Sequence, residues 1–240
     1  MNNSQLQQWI RECSRIVFFG GTGVSTESGI PDFRGQNGIF SALKKYHREP
    51  EVLLSYSYFR MRPDVFFEYY RENILVTDAK PNPAHYALAA MEAKGILSAV
   101  ITQNVDGLHQ KAGSRRVLEL HGSIYRNYCM KCGKRYDVET ILGTEGVPFC
   151  ECGGIIRPDV VMYEETLPED VFTEAENEIF KADMLIVGGT SLSVYPAAGL
   201  LREFRGKHLV LINKSETPYD DRADLVIREP IGEVFAGLEI

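Results

Sequence analysis

The sequence has no apolar run long enough to span a bilayer, no excess of basic residues, no internal repeat and no low-complexity segment. The first absence excludes a membrane-spanning helix, which needs about 20 consecutive apolar residues. The second argues against wrapping a phosphate backbone: 26 Lys and Arg stand against 33 Asp and Glu, a formal net charge of −7. Binding a nucleic acid by counterion release needs clustered cations. Lys131, Lys134 and Arg135 lie together, but three charges are what an ordinary solvated face carries, and no nucleic-acid partner is expected. The opening Met1-Asn2-Asn3-Ser4-Gln5 has neither a basic nor an apolar leader region, so a cytoplasmic location is expected. A monomer is expected too.

What is present is an alternation of short apolar runs with helical stretches. Arg15–Gly20, Leu97–Thr102, Arg116–Leu120, Met184–Gly188, His208–Ile212 and Asp224–Ile227 are rich in Val, Ile and Leu. Their lack of alternation is the pattern of strands buried on both faces. Between them, His85–Lys94, Pro168–Lys181, Tyr195–Phe204 and Pro230–Leu238 read as helices. This predicts an α/β fold, a parallel sheet with helices on both faces. Two stretches break the rhythm: the aromatic-rich Ser41–Asn73 and the cysteine-bearing Ser123–Pro158. Both read as insertions that build a small lobe, a helical module over 41–76 and a zinc-ribbon module over 123–158. The large domain is then discontinuous, over 1–40, 77–122 and 159–240, and a pocket between the lobes is the natural ligand site.

Cysteine is sparse and unevenly placed. Cys13 falls on one helix face with Leu6, Trp9 and Ile10, which suits a small core residue. Cys129-x-x-Cys132 and Cys150-x-Cys152 are separated by seventeen residues, with Gly133, Gly153 and Gly154 at the turns. Two such knuckles supply four thiolates in a tetrahedron, which fills the shell of a structural zinc ion and leaves no open catalytic position. The second knuckle is one residue shorter than the usual C-x-x-C.

After the first predicted strand comes Gly20-Gly21-Thr22-Gly23-Val24-Ser25-Thr26. A glycine-rich turn between strand and helix lets backbone amides approach a pyrophosphate. The dehydrogenase fingerprint is incomplete, because Thr26 stands where a third glycine would and no acidic residue follows a second strand at the usual distance. Further polar loops follow other strand ends: Gln103-Asn104-Val105-Asp106, Gly189-Thr190-Ser191, and Asn213. Four such ends point to a nucleotide lying across the sheet edge.

In this order the segments resemble the sirtuin family of NAD-dependent protein deacylases. The resemblance runs over Gly21-Thr22-Gly23-Val24-Ser25-Thr26-Glu27-Ser28-Gly29-Ile30-Pro31-Asp32-Phe33-Arg34 and Thr102-Gln103-Asn104-Val105-Asp106-Gly107-Leu108-His109. It continues through His121-Gly122, the four cysteines, Arg157-Pro158 and Gly189-Thr190-Ser191-Leu192. The family implies a Rossmann-like domain with a small lobe of a helical and a zinc module. It also implies a reaction in which acetyl-lysine and NAD give lysine, nicotinamide and O-acetyl-ADP-ribose. NAD is consumed as a co-substrate, which agrees with the missing hydride-transfer features. Protein mono-ADP-ribosylation is the rival enzymatic reading, and a zinc-dependent module that merely senses NAD is the non-enzymatic one.

The resemblance assigns roles residue by residue. Gly21, Thr22 and Gly23 approach the phosphates, which Thr26 and Arg34 help to place, and Asp32 belongs to the same NAD-binding segment. Phe33 shields the reacting ribose from water. Gln103 and Asn104 orient that ribose, Asn104 as a catalytic residue, while Val105 and Asp106 take the nicotinamide carboxamide. Gly189, Thr190, Ser191, Asn213 and the segment at Ile231 hold the adenosine half. His121 is one of five histidines. Its place at a strand end before Gly122 makes it the general base for the ribose hydroxyls, with an ordinary pKa of about 6.5. His47, His85, His109 and His208 receive no catalytic role.

The acetyl-lysine peptide is expected to add as a strand between Val160–Glu164 and Ser193–Tyr195. Three departures bear on specificity. Thr22 stands where many members have Ala. Glu164 replaces a common Gly, which predicts a preference for basic flanking residues. The Tyr-x-x-Arg pair of members that prefer acidic acyl groups is matched by Phe67-Glu68-Tyr69-Tyr70, without the Arg, so neutral acyl groups are expected.

Overall fold

A computed structural model describes residues 2–32 and 36–240. Six strands form one parallel sheet: β1 (Ile16–Gly20), β2 (Leu97–Thr102), β3 (Val117–Glu119), then β7 (Met184–Gly188), β8 (His208–Ile212) and β9 (Leu225–Ile227). Between β3 and β7 in the chain lie β4 (Gly122–Cys129), β5 (Arg135–Tyr136) and β6 (Ile156–Val160), which make a separate antiparallel sheet in the order β5-β4-β6. The parallel sheet runs β3-β2-β1-β7-β8-β9. Its first three strands spread one way from β1 and its last three the other way from β7. That is the dinucleotide-binding order, with its switch point between β1 and β7.

The helices are α1 (Asn2–Glu12), α2 (Gln36–Tyr46), α3 (Pro50–Leu53), α4 (Tyr56–Met61), α5 (Pro63–Asn73), α6 (Pro83–Ala93), α7 (Leu108–Ala112), α8 (Val138–Leu142), α9 (Glu169–Lys181) and α10 (Ile231–Ala236). Side chains alternate across β1. Ile16 and Phe18 join Leu6, Leu88 and Val234 from α1, α6 and α10 in one core. Val17 and Phe19 join Ala175 and Ile179 from α9 in the other. All four β1 side chains are fully buried, each contributing about 1.5–3 kcal/mol by leaving water. The cysteine-bearing and helical insertions share a third core, in which Phe59, Phe66 and Phe67 meet Ile124, Val138 and Ile141.

Three details differ from the sequence reading. The segment read as a helix over Tyr195–Phe204 is a 3-10 helix at Ala197–Glu203, since Pro196 and Gly199 weaken an α-helix there. The strands β4 and β6 interleave polar residues with apolar ones, and so lack the apolar runs by which the other strands are read. The Val160–Glu164 segment expected to pair with the peptide is regular strand only at its start: β6 ends at Val160, and Tyr163 makes an isolated bridge with Ser55. The chain turns there because Glu164 takes a left-handed φ of 77°.

Candidate active site

The switch point brings two glycine turns together. The Gly23 amide donates to the Gly189 carbonyl at 2.8 Å and the Gly21 amide to the Gly188 carbonyl at 3.2 Å. A Cβ on Gly23 would stand 2.7 Å from the Gly189 Cα, and one on Gly189, at φ 57°, would stand 2.3 Å from the Val24 amide. Only glycine permits that approach, and it leaves a narrow cleft floored by backbone. Thr22 borders the cleft. The Thr26 hydroxyl donates to the Gly23 carbonyl at 3.0 Å, closing the turn.

Beside this cleft lies a connected polar network at the end of β2. The Asn104 amide nitrogen donates to the Gly21 carbonyl and to the Ser25 hydroxyl, each at 3.0 Å. Ser25 in turn donates to Asp106 at 2.7 Å, and the other Asp106 oxygen accepts from the Leu108 amide at 2.9 Å. Burial pushes the Asp106 carboxyl above its usual range, opposed by those two donors. The Asn104 side-chain oxygen is buried without a partner, an acceptor held ready for a ligand donor. Gln103 donates to the Thr190 hydroxyl at 3.1 Å, tying the β2 end to the β7 end. Ser25 joins both key side chains here, yet sequence reading gave it no role. Its only signal was a small hydroxyl directly after the glycine turn.

His121 sits half-buried between β3 and β4, with Nδ1 2.8 Å from the Gln103 carbonyl oxygen. A carbonyl only accepts, so Nδ1 carries the proton and Nε2 the lone pair. The next residue, Gly122, has φ 78°, and a Cβ on it would lie 2.0 Å from the Asp159 carbonyl oxygen. Chain crossing at Gly122 is what delivers His121 to the cleft. The buried histidines are a contrast: His85 caps α6 with Asn82, and the His109 ring lies tilted against it at 4.7 Å.

One cavity of about 240 Å³ between the lobes gathers Thr22, Gln103, Asn104, Val105, Asp106 and His121. On its far wall stand Phe66, Tyr70 and Asn73 of α5, with the 160–165 segment and Val194–Pro196 along its mouth. Other sequence-predicted residues ring the same strand ends outside this cavity. Ser191 is exposed and paired with Ser193 at 2.7 Å. Asn213 follows β8 and donates to the Ser215 carbonyl at 2.8 Å. The Ile231 side chain is buried in the core at the start of α10, so only its backbone is offered to a ligand. Asp32 is half-buried. Phe33 and Arg34 lie outside the described residues.

The 160–165 segment is fastened at both ends. Arg157, buried against Tyr56, Phe59 and Tyr128, makes a two-pronged pair with Glu165 at 2.7 and 2.8 Å. Glu164 accepts from the Ser57 amide and hydroxyl at 2.9 and 2.8 Å. Its carboxylate thus caps the start of α4 while the residue stays exposed at the cavity. Of the two residues matched to the Tyr-x-x-Arg pair, Phe67 is in the small-lobe core and Tyr70 lines the cavity beside Asn73. Arg71 donates away from the cavity, to the Ile141 and Gly146 carbonyls.

The sulfurs of Cys129, Cys132, Cys150 and Cys152 lie within 4.8 Å of one another. Cys129 and Cys152 are 3.4 Å apart, and Cys132 and Cys150 3.6 Å. Four thiolates about 2.3 Å from one zinc stand about 3.8 Å apart, so the set fits. The Lys131 amide donates to Cys129 at 3.4 Å and the Tyr136 hydroxyl to Cys150 at 3.0 Å, as ligand sulfurs require of their surroundings. Among the described residues no other group of three or more such side chains gathers.

A family model described as the Sir2 family matches residues 21–196. The chain belongs to the Sir2 family. It is 55% identical over 234 residues to a protein of Clostridium acetobutylicum named NAD-dependent protein deacetylase, covering 97% of this chain and 96% of that one. A protein of the same name from Cutibacterium acnes is 50% identical over 239 residues, covering 100% and 98%. Among solved structures, a Sir2–p53 peptide–NAD+ complex matches with a TM-score of 0.87 at 39% identity, covering 98% of this chain and 96% of that one. A Sir2 variant bound to a deacetylated p53 peptide and 3′-O-acetyl ADP ribose matches at 0.88 and 41%, with the same coverage. Family members thus hold both substrates and products in this fold.

Proposed function

We propose that this chain is an NAD-dependent protein-lysine deacetylase, which converts acetyl-lysine, NAD and one water to lysine, nicotinamide and O-acetyl-ADP-ribose. The observation that carries it is His121 in the inter-lobe cavity, its tautomer set by Gln103, facing the same space as Asn104 and Asp106. NAD supplies an electrophilic ribose carbon with nicotinamide as its leaving group. The residues of the cavity do the rest.

Asp106 and the Val105 backbone hold the nicotinamide carboxamide, and the unpartnered Asn104 oxygen accepts from a ribose hydroxyl. This clamps the ribose carbon against the acetyl oxygen, a poor nucleophile that needs proximity and orientation to react. His121 Nε2 takes a proton from the ribose, so that the 2′-oxygen can attack the acetyl carbon. Gly21, Gly23, Gly189 and Thr190 line the phosphate and adenosine path, with Thr22 and Thr26 at its entrance. Ser191, Asn213 and the Ile231 backbone complete it, and Asp32, with Phe33 and Arg34 as the resemblance implies, serves the reacting end. The four cysteines hold zinc as a fold staple. The peptide lies as an added strand between 160–164 and 193–195, because both segments border the cavity mouth.

Incubating the protein with labelled NAD, and with acetylated or unmodified protein, tests this. Nicotinamide release that requires acetyl-lysine supports deacetylation. Label transferred to unmodified protein would replace it with mono-ADP-ribosylation.

A further inference from the structure

The 160–165 segment carries two adjacent carboxylates with opposite fates. Glu165 is half-buried, and its charge is met by Arg157 at 2.7 and 2.8 Å. Glu164 is exposed at the cavity mouth. Both of its oxygens are held, one by the Ser57 amide at 2.9 Å and the other by the Ser57 hydroxyl at 2.8 Å. Those donors are neutral, so they fix the carboxylate without cancelling its charge, and each oxygen keeps a lone pair for another donor. Among the described residues no cation forms an ion pair with it. No described Lys or Arg lines the cavity either. The φ of 77° at Glu164 lies in the left-handed region, which strains any residue with a Cβ and is easiest for glycine.

The chain thus keeps, at a turn that glycine would make without strain, a carboxylate that is fixed, exposed and unneutralised. We propose that Glu164 is a specificity-determining residue, which selects acetyl-lysine peptides carrying a Lys or Arg two or three residues from the acetyl-lysine. The proposal rests on the deacetylase reading and on the peptide lying along 160–164. The spacing follows from the backbone. The Val161 amide donates to the His121 carbonyl at 3.0 Å, which sets the level of the reacting end. Glu164 stands three residues further on, at most about 10 Å of extended chain. A cation there meets a carboxylate already ordered by Ser57, so little of the side-chain entropy that weakens exposed ion pairs remains to be lost on the enzyme's side. An acidic residue at the same place meets like charge and is repelled.

One acetylated peptide with Arg, Gln or Glu placed in turn at each of the three positions on either side of the acetyl-lysine tests it. Steady-state kcat/KM on the zinc-loaded full chain is expected to favour Arg over Gln by about 2- to 5-fold, the range of an exposed ion pair, and Gln over Glu by as much. The preference should be confined to two or three residues out on one side. It should fade in about 1 M salt, where the Debye length is about 3 Å. Glu164→Gln keeps an acceptor for Ser57 and loses only the charge, so the Arg-to-Glu ratio should fall to about one, and any effect common to all peptides cancels in that ratio. Ser57→Ala, which frees the carboxylate, should lower the ratio part of the way. A wild-type ratio near one, with acetyl-lysine turnover intact, overturns the proposal. So does a preference spread evenly over all six positions, or one that survives in Glu164→Gln, each the signature of the chain's overall charge of −7. Absence of turnover on every acetylated peptide would instead reject the deacetylase reading beneath it.

Discussion

The cysteine module and the strand-end cleft are built on opposite plans. Beyond the small antiparallel sheet β5-β4-β6 the module has only a five-residue helix, α8, and short connections around its four sulfurs. So little chain cannot bury enough apolar surface to order itself, and a metal must supply the difference. The cleft stands on a parallel sheet buried on both faces, whose strand ends are free to carry polar groups without endangering the fold. The same sequence thus uses cysteine where structure is scarce and glycine, asparagine and histidine where it is abundant. Loss of a side chain should therefore break structure in one region and chemistry in the other.

The largest expected effect is in the module. Removing zinc with a chelator, or exchanging Cys129 for Ser, should unfold the small lobe, since structural zinc contributes about 10 kcal/mol or more. Metal content, Tm and turnover should fall together. A chain that keeps its Tm with no metal bound would remove the contrast.

His121→Ala should do the reverse. Turnover should drop about 10²–10⁴-fold, the contribution of a general base, while metal content and Tm stay at wild-type values. A comparable loss of Tm would make His121 a structural residue and merge the two regions.

A smaller effect separates the histidines of the large domain. Burial pushes His85 down to about 4 and His109, aided by the charge of His85, down to about 3. In the unfolded chain both titrate near 6.5. Their folded pKa values are depressed, so the folded state favours the neutral rings. The stability they contribute is fully present above about pH 6.5 and falls as the pH drops towards 4, by up to about 1.4 kcal/mol per pH unit for each ring. Urea midpoints measured from pH 8 to 5 with zinc present should stay level and then decline below about 6.5. His85→Gln should reduce that slope, and an unchanged slope would show that the buried pair is not its source.

The sheet was legible because strands buried on both faces must be nearly all apolar. Leu97–Thr102, Met184–Gly188 and His208–Ile212 were read with their observed ends. The cysteine spacing was equally informative, because two knuckles brought to one metal leave little choice of geometry. The small lobe resisted reading for two reasons. β4 mixes Ser, Tyr, Arg and Asn, so it has neither the run nor the alternation of a recognisable strand. In α5 the aromatics Phe66, Phe67, Tyr69 and Tyr70 make one broad buried face opposite Asp64, Glu68 and Glu72, a face wide enough that the sequence does not say which of its residues line the cavity and which fill the core. Glu164 illustrates a limit of another kind. Its charge was visible in the sequence, but its capping of Ser57 depends on a turn that brings together residues 107 positions apart.

The most direct measurement of the central claim is a product balance on one acetylated peptide. Nicotinamide, deacetylated peptide and O-acetyl-ADP-ribose are quantified from the same reaction, with wild type and His121→Ala side by side. Equal amounts of the three from the wild type, and a collapse of all three in the variant, are the predicted result. Free acetate formed without NAD, or ADP-ribose attached to a peptide that keeps its acetyl group, would contradict the account.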